Sequence, residues 1–161
     1  MTADGHALAA MLGVALRRHG LTAATAESCT GGLVAGAITD IPGSSAWFER
    51  GFVTYSNEAK MEMLGVRPET LATHGAVSEA TAAEMATGAL THSRADVAVA
   101  VTGIAGPDGG NPAKPVGTVC FAWARRNRAV DTDTRRFAGD RAAVRAATVE
   151  AALRGLIDRS D

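Results

Sequence analysis

Apolar residues recur at helical spacing over 6–20, where Leu8, Met11, Leu12 and Leu16 share one side and Gly20 stands as a stop, so the chain is predicted to open with a helix. LTAATAE (21–27) reads as a short strand, and LVAGAITDI (33–41) as a helix of small residues ended by Pro42-Gly43. Ser44 and Ser45 can cap a short helix over SAWFER, ahead of a second strand, GFVTYS (51–56). NEAKMEMLGV (57–66) is predicted as a helix with Asn57 as cap and Gly65 as stop, PETLATHG (68–75) as a shorter one, and SEATAAEMATGALTHSRA (78–95) as a long one capped by Ser78.

The second half changes character. DVAVAVTG (96–103) is a near-continuous apolar run, the pattern of a strand covered on both faces. IAGPDGGNPAKPVG (104–117) is too rich in Gly and Pro to be an element, and a loop of that length inside a domain is usually functional or disordered. TVCFAWARR and VDTDTRRFAG form a hairpin around Asn127, and DRAAVRAATVEAALRGLIDRS (140–160) closes as a helix capped by Asp140. Early alternation of helix and strand followed by a hairpin predicts a three-layer α/β/α sandwich on a mixed, mostly parallel sheet, as one domain over 1–161.

Composition narrows the function classes. The net charge of -1 offers no broad basic face, so nucleic acid is not an expected partner. No apolar run approaches the roughly 18 residues of a membrane span, and MTADGHALAA lacks the features of a signal peptide, so a cytoplasmic protein is expected. Cys29 and Cys120 show no metal-binding spacing, and neither metal nor cofactor is expected. Among sixteen basic residues only Lys60 and Lys114 are lysines. Lysine can lose its proton when desolvated and arginine effectively cannot, so a lysine retained in an arginine-rich chain is a modest pointer to chemistry.

Sites in such folds gather at the C-terminal ends of strands, here AESCTGG, TYSNEAK and TGIAGP. AESCTGG sets Ser28 and Cys29 before a glycine pair; alone it fits a nucleophile on a strand-to-helix turn, and it fits a helix capped by Ser28 or Thr30. It is not the GxSxG elbow, since Ala26 stands at the first glycine position. His6, His19, His74 and His92 form no Ser-His-Asp pattern, which leaves a lysine of depressed pKa as the candidate base; Tyr55 and Lys60 straddle the next strand end. Each of these alone also fits a core aromatic and a solvated lysine. Arg141, in the first turn of the last helix, opposes the helix dipole, which makes sense if it holds an anion there, and it fits a solvated arginine equally well.

AESCTGGLVAGAITDIPGSSAWFERGFVTYSNEAK, LGV, HGAVSE, VAVTGIAGPDGG and KPVGTV, in that order, resemble the C-terminal domain of the competence/damage-inducible protein CinA, and in particular its stand-alone nicotinamide-nucleotide amidase form. The resemblance implies hydrolysis of the carboxamide of nicotinamide mononucleotide to nicotinate mononucleotide and ammonia, a step of pyridine nucleotide recycling. It puts the catalytic serine on Ser28 and the lysine on Lys60, with Tyr55 beside them to orient or relay the proton. Ser45 and Thr102 match pocket positions, and Arg141 matches an arginine assigned to the ligand. A homo-oligomer is expected on the same ground. Backbone amides near Gly31, Gly32 or Gly103 are expected to stabilise the oxyanion, and Arg141 with a helix N-terminus to hold the 5′-phosphate. The competing readings are a non-catalytic nucleotide-binding module of the same fold and an amidase for another amide.

Overall fold

Val97, Val99 and Val101 alternate with Ala98 and Ala100 along strand β3 (Val97–Gly103), and because successive side chains leave a strand on opposite faces, this one run specifies two different packing surfaces. Strand β4 (Thr118–Arg125) repeats the device, with Val119, Phe121 and Trp123 on the large face and Cys120, Ala122 and Ala124 on the small one. The large face meets helices α1 (Ala3–His19), α2 (Leu33–Thr39) and α6 (Arg141–Asp158) through Leu8, Leu12, Leu16, Ile38, Leu153 and Leu156. The alanine face takes helix α5 (Glu79–Thr91) and the end of α3 (Asn57–Leu64), which contribute Ala82, Met85, Ala86 and Leu64; small residues on both sides let helix and sheet approach closely. A short helix, α4 (Pro68–His74), joins them. This computed structural model describes residues 2–161; Met1, the first residue of the expected domain, lies outside the described residues.

The sheet runs β2-β1-β3-β4-β5, with β1 at Ala23–Glu27, β2 at Phe48–Val53 and β5 at Asp131–Arg136. β2, β1 and β3 are mutually parallel, while β4 is antiparallel to both β3 and β5, so β4 alone runs against the other strands. The expected mixed, mostly parallel sheet in three layers is thus what forms. After β1 the chain goes first to one side, to β2, and later to the other, to β3. That reversal opens a crevice at the C-terminal ends of these strands.

Three local expectations change. Ser44–Ala46 makes a single 3-10 turn, and Phe48, Glu49 and Arg50, expected in the SAWFER helix, belong to β2. Pairing with β1, from Ala23 opposite Phe48 to Glu27 opposite Val53, and burial of Trp47 against Gly13 outweigh the helical propensity of the segment. Ser56, rather than Asn57, caps α3, its hydroxyl accepting from the Ala59 amide at 3.0 Å. α5 stops at Thr91, short of the predicted 95.

α3 lies so close to α5 that a Cβ on Gly88 would run into the Leu64 carbonyl, whereas a Cβ on Gly36 in α2 would meet open space. Gly88→Ala is expected to lower the unfolding free energy by about 1–3 kcal/mol through overpacking against rigid backbone. Gly36→Ala should be neutral or raise it by up to about 1 kcal/mol, since only the unfolded chain loses freedom. Urea titrations of the two variants check the contrast; equal destabilisation would refute the close α3–α5 contact.

Candidate active site

The alternation that builds the sheet continues past the end of β1 and sorts the residues of AESCTGG. Glu27 turns to the α2 face, 1% exposed, and its carboxylate accepts from Thr30 Oγ1 at 2.5 Å and from the amides of Gly32 (3.2 Å), Val34 (2.8 Å) and Ala35 (3.0 Å). The cap of α2 is therefore Glu27, since the residue at the N-cap, Gly32, has no side chain. Ser28 and Thr30, the caps considered from sequence, do not serve. Gly31 (φ 57°) and Gly32 (φ 105°) carry the turn through backbone conformations that other residues rarely adopt.

One residue on, Ser28 turns to the opposite face, where α3 delivers Lys60. Lys60 is 1% exposed, and its ammonium donates to Ser28 Oγ at 3.0 Å, to the Thr54 carbonyl at 3.0 Å and to the Tyr55 carbonyl at 3.1 Å. Burial pushes its pKa below the usual lysine range. The three partners define two states of one geometry. Neutral, the amine gives its two protons to the carbonyls and aims its lone pair at the Ser28 hydroxyl; charged, it gives a third to the serine oxygen. Cys29 is 5% exposed, and burial pushes its thiol up to about 11, so it stays protonated and weakly nucleophilic at neutral pH.

A cleft of about 200 Å³ opens over this pair, lined by Ser28, Cys29, Tyr55, Lys60, Thr102 and Arg141, with Asn57, Ala76, Val77, Gly103 and Ala105 completing it. The three strand ends picked out in the sequence thus meet. Thr102 donates to the Ala76 carbonyl at 2.9 Å, tying the 75–77 segment to the wall, and Gly103 is held as glycine by Val119 and the Thr118 carbonyl, 2.7 and 3.0 Å from where a Cβ would sit.

Other expectations are corrected. The Tyr55 phenol does not reach the Ser28–Lys60 pair: it is 61% exposed and accepts from Arg141 Nη2 at 3.3 Å, and only the Tyr55 carbonyl touches the pair. Ser45 sits exposed ahead of β2, at the opposite end of that strand from the cleft. The amides of Gly31 and Gly32 are already bonded, to the Ser28 carbonyl at 3.0 Å and to Glu27, so they are not free oxyanion donors. Arg141 also donates to the Gly106 carbonyl at 2.9 Å, and the Asp140 carboxylate accepts from the Ala143 amide, occupying part of the α6 N-terminus expected to hold phosphate. Lys114 lies outside the cleft and donates to the His74 carbonyl at 2.7 Å. Glu27 went unrecognised in the sequence although an acid before Ser28 was visible; Arg145, which donates to the carbonyls of Cys29 and Thr30, had no local signal. Among the described residues no cluster of His, Cys, Asp and Glu could hold a metal ion.

The lowered pKa of Lys60 has a consequence for stability. The unfolded chain binds the lysine proton more tightly than the folded one, so this contribution to the unfolding free energy rises with pH between the folded and unfolded pKa values and is lost as pH falls through the folded one. The stability of wild type relative to Lys60→Met should therefore increase as pH is raised toward the usual lysine range. Urea titrations of both proteins at several pH values test this; a flat or falling difference would contradict it.

Residues 5–159 match the family model described as the CinA C-terminal domain. The chain is 61% identical over 149 residues to the nicotinamide-nucleotide amidohydrolase PncC of Escherichia coli strain K12, covering 92% of this chain and 90% of that protein. It is 56% identical over 150 residues to the PncC of Pseudomonas putida, covering 93% of each. The crystal structure of the competence/damage inducible protein CihA from Agrobacterium tumefaciens superposes with a TM-score of 0.97 at 52% identity, covering 100% of this chain and 98% of that one. With matches that run nearly end to end in both sequence and backbone, the chain belongs to the CinA C-terminal domain family.

Proposed function

We propose that this protein hydrolyses the carboxamide of nicotinamide mononucleotide, giving nicotinate mononucleotide and ammonia in pyridine nucleotide recycling, with Ser28 as nucleophile and Lys60 as its base. The observation that carries the reading is the buried contact of Lys60 Nζ with Ser28 Oγ at 3.0 Å, a hydroxyl facing an amine whose pKa is depressed by burial. The names of the relatives at 61% and 56% identity support the substrate. Neutral Lys60 takes the Ser28 proton as Oγ attacks the carboxamide carbon. The proton passes to the departing nitrogen, the C–N bond breaks, and ammonia leaves an acyl ester on Ser28. Water then attacks that ester as Lys60 takes its proton, Lys60 returns that proton to Ser28 Oγ as the ester C–O bond breaks, and the acid released ionises to the carboxylate.

The cleft is small for a whole nucleotide, so it would enclose the nicotinamide ring while ribose and phosphate lie outward. There the exposed Arg141 and the Tyr55 phenol form a joined cation and hydroxyl, suited to the 5′-phosphate. Tyr55 is thereby assigned to binding, with its carbonyl orienting the lysine. Thr102 and Gly103 would line the ring. A cytoplasmic location and a homo-oligomer belong to the same reading; Val53 at the end of the edge strand β2, 47% exposed, and Leu33 at the start of α2, 44% exposed, are apolar side chains open to association.

Ammonia release measured with a chelator present should fall by roughly 10⁴-fold or more in Ser28→Ala and Lys60→Arg. Full activity in either variant removes that residue from the mechanism, and stoichiometric binding without ammonia in wild type would favour a regulatory module. The acid limb of the kcat/KM profile should rise with pH through an apparent pKa below the usual lysine range, because the neutral amine is the active form. Arg141→Ala should lose about 10- to 100-fold in kcat/KM on the mononucleotide, as expected for one charge-assisted contact, and little on the riboside. Equal losses on both would take the phosphate away from Arg141.

A further inference from the structure

The Ser28–Gly32 turn is gripped from two sides by groups that do not line the cleft. Glu27 holds its donors, the Thr30 hydroxyl and the Gly32 amide, and continues into the first turn of α2. Arg145 holds its acceptors, with Nε donating to the Cys29 carbonyl at 3.1 Å and Nη2 to the Thr30 carbonyl at 3.2 Å. A rigid guanidinium fork across two successive carbonyls fixes two peptide planes at once, which a lysine could not do.

A trans peptide carries its N–H opposite its C=O, so a clamped carbonyl also aims the amide that follows it. The Ser28 carbonyl is turned inward to accept from the Gly31 amide, and the Ser28 amide is spent on the Val101 carbonyl at 3.1 Å. The Cys29 amide, on the far side of the Ser28–Cys29 peptide, donates to no backbone carbonyl, its own thiol being the one group recorded against it, and belongs to a residue that lines the cleft. An N–H immediately after a nucleophile is where an acyl-transfer site needs a donor for the developing oxyanion.

We propose that Arg145 and Glu27 are positioning residues that lock the Ser28–Gly32 turn so that the Cys29 amide faces the acyl carbon as oxyanion donor. The proposal rests on the amidase reading above. Arg145 lies one helical turn beyond Arg141 on α6 and divides the work with it: Arg141 faces the ligand and Arg145 faces the turn. Neither Arg145 nor Glu27 touches substrate in this arrangement, so removing either should act on kcat and leave KM nearly unchanged.

The experiment combines kinetics with a measurement that needs no substrate. Arg145→Ala, Arg145→Lys and Glu27→Gln are made in wild type and in a Cys120→Ser background, where the buried Cys29 is the only thiol and its rate of modification by a disulfide reagent reports loosening of the turn. Arg145→Ala is expected to lower kcat by roughly 10²- to 10³-fold, as for loss of one oxyanion donor, equally on the mononucleotide and the riboside and with KM nearly unchanged. Cys29 should be modified faster. Arg145→Lys, able to satisfy one carbonyl, should fall between, and Glu27→Gln, which sets an amide group against backbone N–H donors, should follow Arg145→Ala. Should Arg145→Ala fail to fold cooperatively, the lysine variant carries the same comparison. Unchanged kcat with unchanged Cys29 reactivity overturns the proposal, and so does a KM rise confined to the mononucleotide, which would make Arg145 a phosphate ligand. If wild type releases no ammonia from either compound the amidase reading fails, and the thiol rates alone then decide: unchanged rates overturn the clamp, faster ones support it.

Discussion

An amine almost wholly shut off from water, held by two backbone carbonyls and one serine hydroxyl, is the constraint on which the site depends. Burying a lysine is costly, and the cost falls on its charged form. Here the enclosure provides three oxygen atoms for the three ammonium protons, so the charge is tolerated while its pKa is pulled down. The arrangement requires α3 to arrive at a set distance from the end of β1. The alanine faces of β3 and β4, the small residues of α5 and the Gly88–Leu64 contact allow that approach. Core packing and acid–base chemistry are one problem in this protein.

The nucleophile turn answers a second requirement, that a serine be presented to one face of the sheet while its neighbours hold the backbone from the other. Strand alternation supplies it. Glu27 and Ser28 are adjacent yet look in opposite directions, one into the amides of α2 and the other at Lys60. A carboxylate at the start of a helix is also where the helix dipole favours it. Cys29, next in line, is left buried and protonated, which is why a thiol beside a serine need not compete with it.

α6 joins the two ends of the proposed substrate. Its first turn carries Arg141, near the Tyr55 phenol, and its second carries Arg145, on the nucleophile turn. One rigid helix therefore spans the region assigned to the phosphate and the region assigned to the chemistry. The loop over 104–117 contributes at this end through the Gly106 carbonyl, while its Lys114 turns away to the α4 terminus.

Periodicity and punctuation were enough to read the helices, four of the strands, the hairpin at Asn127 and the caps at Ser78 and Asp140, because each is dictated by residues adjacent in the chain. Ser28, Lys60 and Arg141 were legible too, through residue type at strand and helix ends and through the family's motifs. The start of β2 was not, since what makes Phe48–Arg50 a strand is a partner more than twenty residues away. For the same reason Ser45 was expected at a site from which a whole strand separates it, and the Tyr55 side chain was credited with a contact that its carbonyl makes. The role of Glu27, visible only as an acid before Ser28, and that of Arg145 are not legible in the sequence: the worth of a carboxylate or a guanidinium is set by the atoms it finds around it, and the Arg145 partners stand 115 and 116 residues away. Sequence determined the elements and the chemical groups available; the tertiary structure alone decided which of those groups face one another, because direction and distance across the fold are set by packing.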